Sequence, residues 1–324
     1  MAAGISPKLK SNRLPTTAKL FMTPNATPQP AVIGIGAATL DTLHLVPEFP
    51  VAEGVTQIIE SATDGGGPVA TALCYLACQG HSCTLLDSFG DDPTNTLIRQ
   101  GLARCGVQLL EPTSHKDTRS ATAQILVRQS DGARHILFQP GTAPEPRWNA
   151  ACEVALSKAR LLHINGRHEN AARAAVKNAL SHGVPISFDG GAGRYRESIR
   201  DLVEAAQIRM LSKSFAAAYV GSSDLTVIAA ALRSDVLVIT AGTDGSWVWD
   251  RDGNHFHQPA IVADPLVDTT GCGDIYHGAF LHGWLNNWRL EDCARLAAAE
   301  AAKTTRQLGG RCACQPIRNA HNTI

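Results

Sequence analysis

The first apolar run of the chain, Ala31-Val32-Ile33-Gly34-Ile35-Gly36, has the length and composition of a buried strand. Comparable runs recur at 81–86, 161–164, 185–188, 208–211 and 236–240. The last, Val236 to Thr240, is strongly β-branched. Between them lie segments of helical length: 68–79, one ending near Cys105-Gly106, 169–182, 197–206, 274–286 and 291–306. Pro68 opens the first of these, at a position where its missing N–H costs nothing. Strands alternating with helices predict an α/β domain whose largely parallel sheet is covered on both faces.

Three segments break that rhythm. Residues 44–63 read as extended, with a turn near Pro50 to Gly54 and a β-rich run at Thr56 to Ile59. Residues 121–128 and 134–138 read as strands joined at Asp131-Gly132, a dipeptide suited to a tight hairpin turn. Together these predict a small antiparallel layer projecting from the main sheet. A further hairpin is expected where 247–249 and 255–257 flank Asp252-Gly253. Residues 1–30 carry Lys8, Lys10, Arg13 and Lys19, no acidic residue, and many Pro, Ser, Thr and Asn. That composition suits a disordered tail, and an organelle-targeting peptide shares it. One domain over 31–316 and a short tail at 317–324 complete the division.

Composition narrows the class. Apolar residues make up 44% and charged residues 18%, with 29 basic against 29 acidic side chains. The balance argues against a dedicated nucleic-acid binder, and no apolar run is long enough for a membrane helix. Nine scattered cysteines favour free thiols in a reducing compartment, hence a cytoplasmic location. Cys312-Ala313-Cys314 is too tight for a metal clamp, and His163, His168, His255 and His257 form no zinc pattern.

The strongest chemical signal is Val267-Asp268-Thr269-Thr270-Gly271-Cys272-Gly273-Asp274-Ile275. Its two glycines permit a sharp turn and close backbone approach. Ile275, Ala279 and Phe280 then suit a helix face, so the loop opens a helix whose free amides point at an anion. An aspartate at the mouth of such a cradle repels phosphate. It makes sense as a general base for an incoming hydroxyl, or else as a plain helix cap.

These residues resemble the signature of ribokinase-like carbohydrate kinases, the phosphofructokinase-B family. That family carries Asp-Thr-x-Gly-Ala-Gly-Asp late in the chain and a di-glycine early, matched here by 268–274 and Gly65-Gly66. The resemblance spans about 31–316. Gly65-Gly66-Gly67-Pro68, His257-Gln258-Pro259 and Gly309-Gly310-Arg311 look most similar to sulfofructose kinases. It implies a three-layer α/β/α sandwich with a small β-lid, built from 44–63 and 119–138, that closes over the substrate. It implies ATP-dependent phosphorylation of a keto- or aldo-sugar, with Asp274 as base and the amides of Gly271, Cys272 and Gly273 as anion hole. Asp41 would bind sugar hydroxyls, and Gly66 and Gly67 would let the substrate lie against backbone. Ser212, Thr240, Gly242 and Gly245 would face the nucleotide, with Mg2+ on its phosphates. Asp268, Thr270, Thr305 and Gly310 fall near the monovalent-cation (K+) site of many relatives. Members often dimerise through their lids, which the residues themselves do not decide.

The chain also departs from the pattern. Ala70 stands where most relatives have a sugar-binding Asn. The Asn-x-x-Glu that organises magnesium-bound water aligns with Ser212-Lys213-Ser214-Phe215, so the carboxylate is missing. Cys272 replaces Ala in the anion hole. Arg167, after a predicted strand, matches an arginine that sulfofructose kinases use for an anionic substrate; a surface or capping arginine is the plainer reading. Against sulfofructose itself, the lid lysine expected near Val55 is absent, and Phe138-Gln139 replaces an Asn. A nucleoside kinase, with Phe49 and Phe138 as base contacts, is the nearest alternative. A sugar- or nucleotide-binding regulator without turnover is the other.

Overall fold

Alternating burial along the first strand sets the layers. In the computed structural model, which describes residues 31–110, 114–311 and 314, β1 (Ala31–Ile35) sends Val32 into one hydrophobic core and Ile33 and Ile35 into another. Side chains on a pleated strand must alternate in this way, and with both faces buried, helices are needed on both.

The chain leaves β1 for β2 (Thr39–Val46) and β3 (Glu60–Gly66). It returns through α1 (Pro68–Cys78), β4 (Ser82–Leu86), β5 (Phe89–Gly90), α2 (Pro93–Cys105), β6 (Val107–Leu109) and β7 (Ser114–His115). A second excursion forms β8 (Thr122–Arg128) and β9 (Arg134–Gln139). There follow α3 (Ala150–Leu156), β10 (Ala159–Ile164), α4 (Glu169–His182), β11 (Ile186–Gly190), α5 (Arg200–Ala205), β12 (Ile208–Ser212), α6 (Lys213–Val220) and α7 (Leu225–Ala231). Then come β13 (Val236–Thr240), β14 (Ser246–Asp250), β15 (His255–Gln258), α8 (Cys272–Leu285) and α9 (Leu290–Thr304).

Nine strands form the main sheet in the order β15-β14-β13-β12-β11-β10-β1-β4-β6, antiparallel only at the β14–β15 end. Helices α1, α2, α8 and α9 pack with Val32, and α3 to α7 with Ile33 and Ile35. The result is a three-layer α/β/α sandwich. Because β1 lies between β4 and β10, chain order reverses there, opening a crevice at the strands' C-terminal ends where ligands gather in such sheets. Four strands, β3-β2-β8-β9, make the smaller sheet over a core of Leu43, Leu45, Ala123, Ile125 and Val127.

The smaller sheet differs from expectation in two respects. It is mixed, since β2 runs parallel to β8 with Leu40 opposite Thr122 and Val46 opposite Arg128. A parallel pair needs a long crossover, supplied here by the intervening α1 and α2. The Thr56 to Ile59 run is not a strand; pairing begins at Glu60 opposite Leu45, and Val55 and Ile58 are exposed. The 197–206 segment is also not one helix, because a 3-10 turn at Glu197–Ile199 precedes α5. Expectations for residues 1–30, Cys312 and the tail from 317 lie outside the described residues. Among the described residues, no single helix is long and apolar enough to cross a membrane.

Phe280 on α8 is fully buried in the core beneath the candidate site. Phe280→Ala should cost about 3–5 kcal/mol, read as a lowered urea midpoint at unchanged slope. A loss under about 1 kcal/mol would mean that α8 does not depend on this contact.

Candidate active site

The loop before α8 is built by a close backbone approach. Gly271 is left-handed (φ 72°), and a Cβ there would lie 2.5 Å from the Cα of Gly310. Helix α8 starts immediately after it, so its first amides have no partner within the helix, although that of Gly273 also faces the Cys272 thiol. Such amides, at the positive end of a helix, form an anion cradle. A Cβ on Gly273 would meet nothing within 4 Å, so open space faces the cradle. Burial pushes the Cys272 thiol up, which disfavours the reactive thiolate.

Asp274 is the third residue of α8 and is half-buried. Its carboxylate accepts no hydrogen bond among the described residues, so the helix-cap reading falls. Burial, then the Asp189 carboxylate, push it up to about 6, against the pull of Arg194, His277 and Arg134. A carboxyl so placed can exchange a proton near neutral pH.

Asp41 faces the crevice from β2, 7% exposed, with Thr39 Oγ1 donating to Oδ1 at 2.5 Å. Burial pushes its carboxyl up to about 6, with Thr39 and Arg311 pulling down. The glycines beside it have a different job from the one expected. A Cβ on Gly66 would lie 2.0 Å from Asp41 Oδ2, and one on Gly67 (φ 92°) 1.9 Å from the Ala37 carbonyl oxygen. On the side a Cβ would take, Gly66 makes room for the Asp41 carboxylate and Gly67 for the Ala37 carbonyl. Gly65 likewise admits the buried Arg311 guanidinium, whose Nη2 donates to Gly66 O at 2.5 Å and Nε to Thr71 Oγ1 at 3.2 Å.

Arg167 follows β10 at the same crevice, its guanidinium 5.9 Å from the centre of the Phe138 ring on β9. It has no carboxylate partner among the described residues. Ala37, Ala38, Ser88 and His168 line the cleft with it. His168 is held by Asp87 (Nε2 to Oδ1, 2.7 Å), whose other oxygen accepts the Ala38 amide at 2.7 Å.

The nucleotide-side candidates split. Ser212 and Thr240 are register neighbours at the C-terminal ends of β12 and β13. Ser212 Oγ accepts the Phe215 amide at 3.1 Å, so it caps α6. Gly242 is left-handed (φ 57°) and faces open space, whereas a Cβ on Gly245 would lie 2.2 Å from Gln258 O. Gly245 therefore serves β15 packing. Phe215 is buried against Phe188 and Tyr195, ring centres 5.9 and 5.5 Å away.

The four cation candidates gather, but only three leave groups suited to a ligand. Buried Asp268 accepts the Thr270 amide at 2.7 Å and the Gly309 amide at 3.0 Å, next to Gly310. Thr270 Oγ1 is buried without a partner among the described residues, and an orphaned hydroxyl beside a carboxylate fits a small cation. Thr305 does not fit as well. Its carbonyl accepts the Val267 and Asp268 amides at 2.8 and 3.1 Å, and its hydroxyl donates to Ala302 O at 2.8 Å.

Arg134, Arg194, Asp189 and His277, which bear on Asp274, were not singled out from sequence. Arg134 reaches the site because the β8–β9 turn docks on the 267–269 segment, with Nη1 donating to Thr269 Oγ1 at 3.0 Å and the Thr269 amide to Gly132 O at 3.0 Å. Only the position of Asp189, closing a buried apolar strand, offered a signal.

Comparison with known proteins places this geometry. The profile described as pfkB family carbohydrate kinase matches residues 31–318. An ATP-dependent ribose-1-phosphate kinase from Halopiger xanaduensis is 26% identical, over 87% of this chain and 94% of its own. A cytidine kinase from Thermococcus kodakarensis is 30% identical, over 86% and 97%. The structure of Arabidopsis thaliana ribokinase complexed with ribose and ATP superimposes with a TM-score of 0.74 at 21% identity, covering 88% of this chain and 95% of that one.

Because position 215 is a core site, the lost carboxylate cannot simply be put back. Phe215→Glu should destabilise the protein by about 3 kcal/mol or more, as a buried unpaired charge. Thermal melting checks this; an unchanged melting temperature would show that the side chain can reach solvent.

Proposed function

This chain belongs to the pfkB family of carbohydrate kinases and is an ATP-dependent kinase of a small substrate; we propose that the substrate is a sugar bearing an anionic group. The observation that carries the mechanism is the unpartnered Asp274 carboxylate in the first turn of α8, beside the amides that open that helix. On this reading, Asp274 removes the proton of the attacking hydroxyl. The amides of Gly271, Cys272 and Gly273 hold the charge on the transferred phosphoryl oxygens. ATP supplies that group and carries Mg2+ on its phosphates. Thr240, Gly242 and the neighbouring Ser212 edge line the nucleotide side, and Asp268, Thr270 and Gly310 suit K+. The regulator reading loses ground here, because a binding protein gains nothing from an uncapped, half-buried carboxylate facing an anion site.

Asp41 binds sugar hydroxyls, and Arg167 holds the anionic group by paired charge-assisted bonds. The free Arg167 guanidinium supports this, as does the ribose-1-phosphate kinase relative. It is the kind of site the sulfofructose-kinase type has, although exposed Val55 and the lid Phe138 make sulfofructose itself a poor fit. The smaller sheet acts as a lid that excludes water. Its edge strand β9 exposes Ile136, Leu137 and Phe138, a surface suited to a homodimer. Phe138 also favours a second reading, a nucleoside stacked on that ring, in line with the cytidine kinase relative.

Asp274→Asn should lower kcat about 10²- to 10⁴-fold; unchanged turnover would end its role as base. Across sugar phosphates, sugar acids, neutral sugars and nucleosides, an anionic sugar should give the highest kcat/KM. Arg167→Ala should raise its KM about 10- to 100-fold. A nucleoside ranking first, with Arg167→Ala silent, would replace the anionic-sugar reading by the second one.

A further inference from the structure

Under Asp274 lies a cluster of ionisable groups that the chemistry above leaves unused. His277 is three residues along α8 from Asp274, so the two side chains share one face of the helix. Its Nδ1 lies 3.3 Å from Oδ2 of Asp189, near the C-terminal end of β11. The adjacent strand β10 adds His163, whose Nδ1 is 3.1 Å from Ser187 Oγ. Exposures of 0% for His163, 3% for Asp189 and 4% for His277 put all three out of reach of bulk water.

In such a place an isolated charge is costly, and an ion pair persists only when each charge stabilises the other. Burial opposes ionisation of both groups, yet the His277 imidazole holds the Asp189 carboxyl below its ordinary range, and Asp189 holds His277 above its own. Both directions describe an ionised pair. Asp189 Oδ2 and His277 Nδ1 form no well-aligned hydrogen bond among the described residues. Their tie is electrostatic, and their charges are felt by the next ionisable group on α8.

We propose that the buried Asp189–His277 pair is a positioning element for the base: Asp189 holds a negative charge and His277 a positive charge against Asp274, and together they decide the pH at which Asp274 can accept a proton. The inference rests on Asp274 being the base. Other groups facing Asp274 are Arg194, in the loop after β11, Arg134 from β9, and Cys272 on its own turn, while His163 faces the pair from β10. The signs follow from Coulomb's law. Removing the negative charge of Asp189 eases ionisation of Asp274. His277 then loses the partner that keeps it charged, but its effect on Asp274 is the smaller of the two. Removing His277 takes a positive charge from beside Asp274 but also the partner that keeps buried Asp189 ionised, so its two effects on Asp274 oppose each other.

The test is the pH dependence of kcat/KM for the sugar in wild type, Asp189→Asn and Asp189→Ala. The wild-type acid limb is expected at about 6. It should move to lower pH by about half a unit or more in Asp189→Asn and in Asp189→Ala. A pair that merely ties β11 to α8 would lower kcat/KM or stability and leave the limb in place. Circular dichroism and ATP binding establish that each variant is folded, and if one fails to fold the other decides. A limb that stays put, or moves the other way, in a folded variant overturns the proposal. Failure of the base reading shows separately, as turnover that survives Asp274→Asn.

Discussion

Asp268 has no exposed surface, and it is tolerable there only because backbone donors occupy both of its oxygens. One donor, the Thr270 amide, lies in the turn before α8, and the other, the Gly309 amide, in the loop after α9. The carboxylate thereby clamps two distant segments and brings Gly271 against Gly310. Arg311 carries the clamp onward, since its amide reaches Asp64 Oδ2 at 2.9 Å and its side chain reaches Gly66 and Thr71. Anion cradle, di-glycine corner and lid strand β3 therefore form one bonded unit. On the proposed reading, loosening Asp268 would misalign the cradle amides as well as the cation site it borders.

The glycines of this unit serve two different ends. At positions 65, 66, 67, 245 and 271, an added Cβ would strike the protein itself, so these residues exist to let one part of the chain approach another. At 242 and 273 it would strike nothing, so these face open space, as Gly54, Gly183, Gly193 and Gly221 also do. The distinction governs chemistry. Asp41 stands beside the crevice because Gly66 yields room for its carboxylate, and the lid leaves the sheet where it does because Gly67 turns against Ala37.

Much of this architecture was legible in the residues. The alternation of apolar runs with helical segments gave the parallel sheet, Asp131-Gly132 the lid hairpin, and the 267–275 run the cradle at a helix start. What was not legible is non-local. Parallel pairing of β2 with β8 depends on the crossover between them, not on either strand. The short helices α6 and α7, with sequences KSFAAAYV and LTVIAAA, lack a polar stripe from which a helical period could be read. The Asp189–His277 pair joins a strand to a helix far along the chain, with no motif at either end. Cysteines that look scattered also converge, with Cys78 Sγ 3.1 Å from the carbonyl oxygen of Cys314.

Phosphoryl transfer concentrates negative charge, and a carboxylate base adds to it, so the surroundings must supply the opposite sign. On the reading proposed here, that supply comes from helix amides and arginines. Phe215, which the resemblance sets where the family has a water-organising carboxylate, is buried core and brings no anion to the nucleotide side. Arg134 enters from the lid, and its bond to Thr269 ties the lid turn to the cradle loop. Arg134 therefore stands beside the cradle in the structure as it is, with the lid turn already docked. With Arg134 already in place, what substrate adds on this reading is the exclusion of water, which strengthens each cation that favours the ionised form of Asp274.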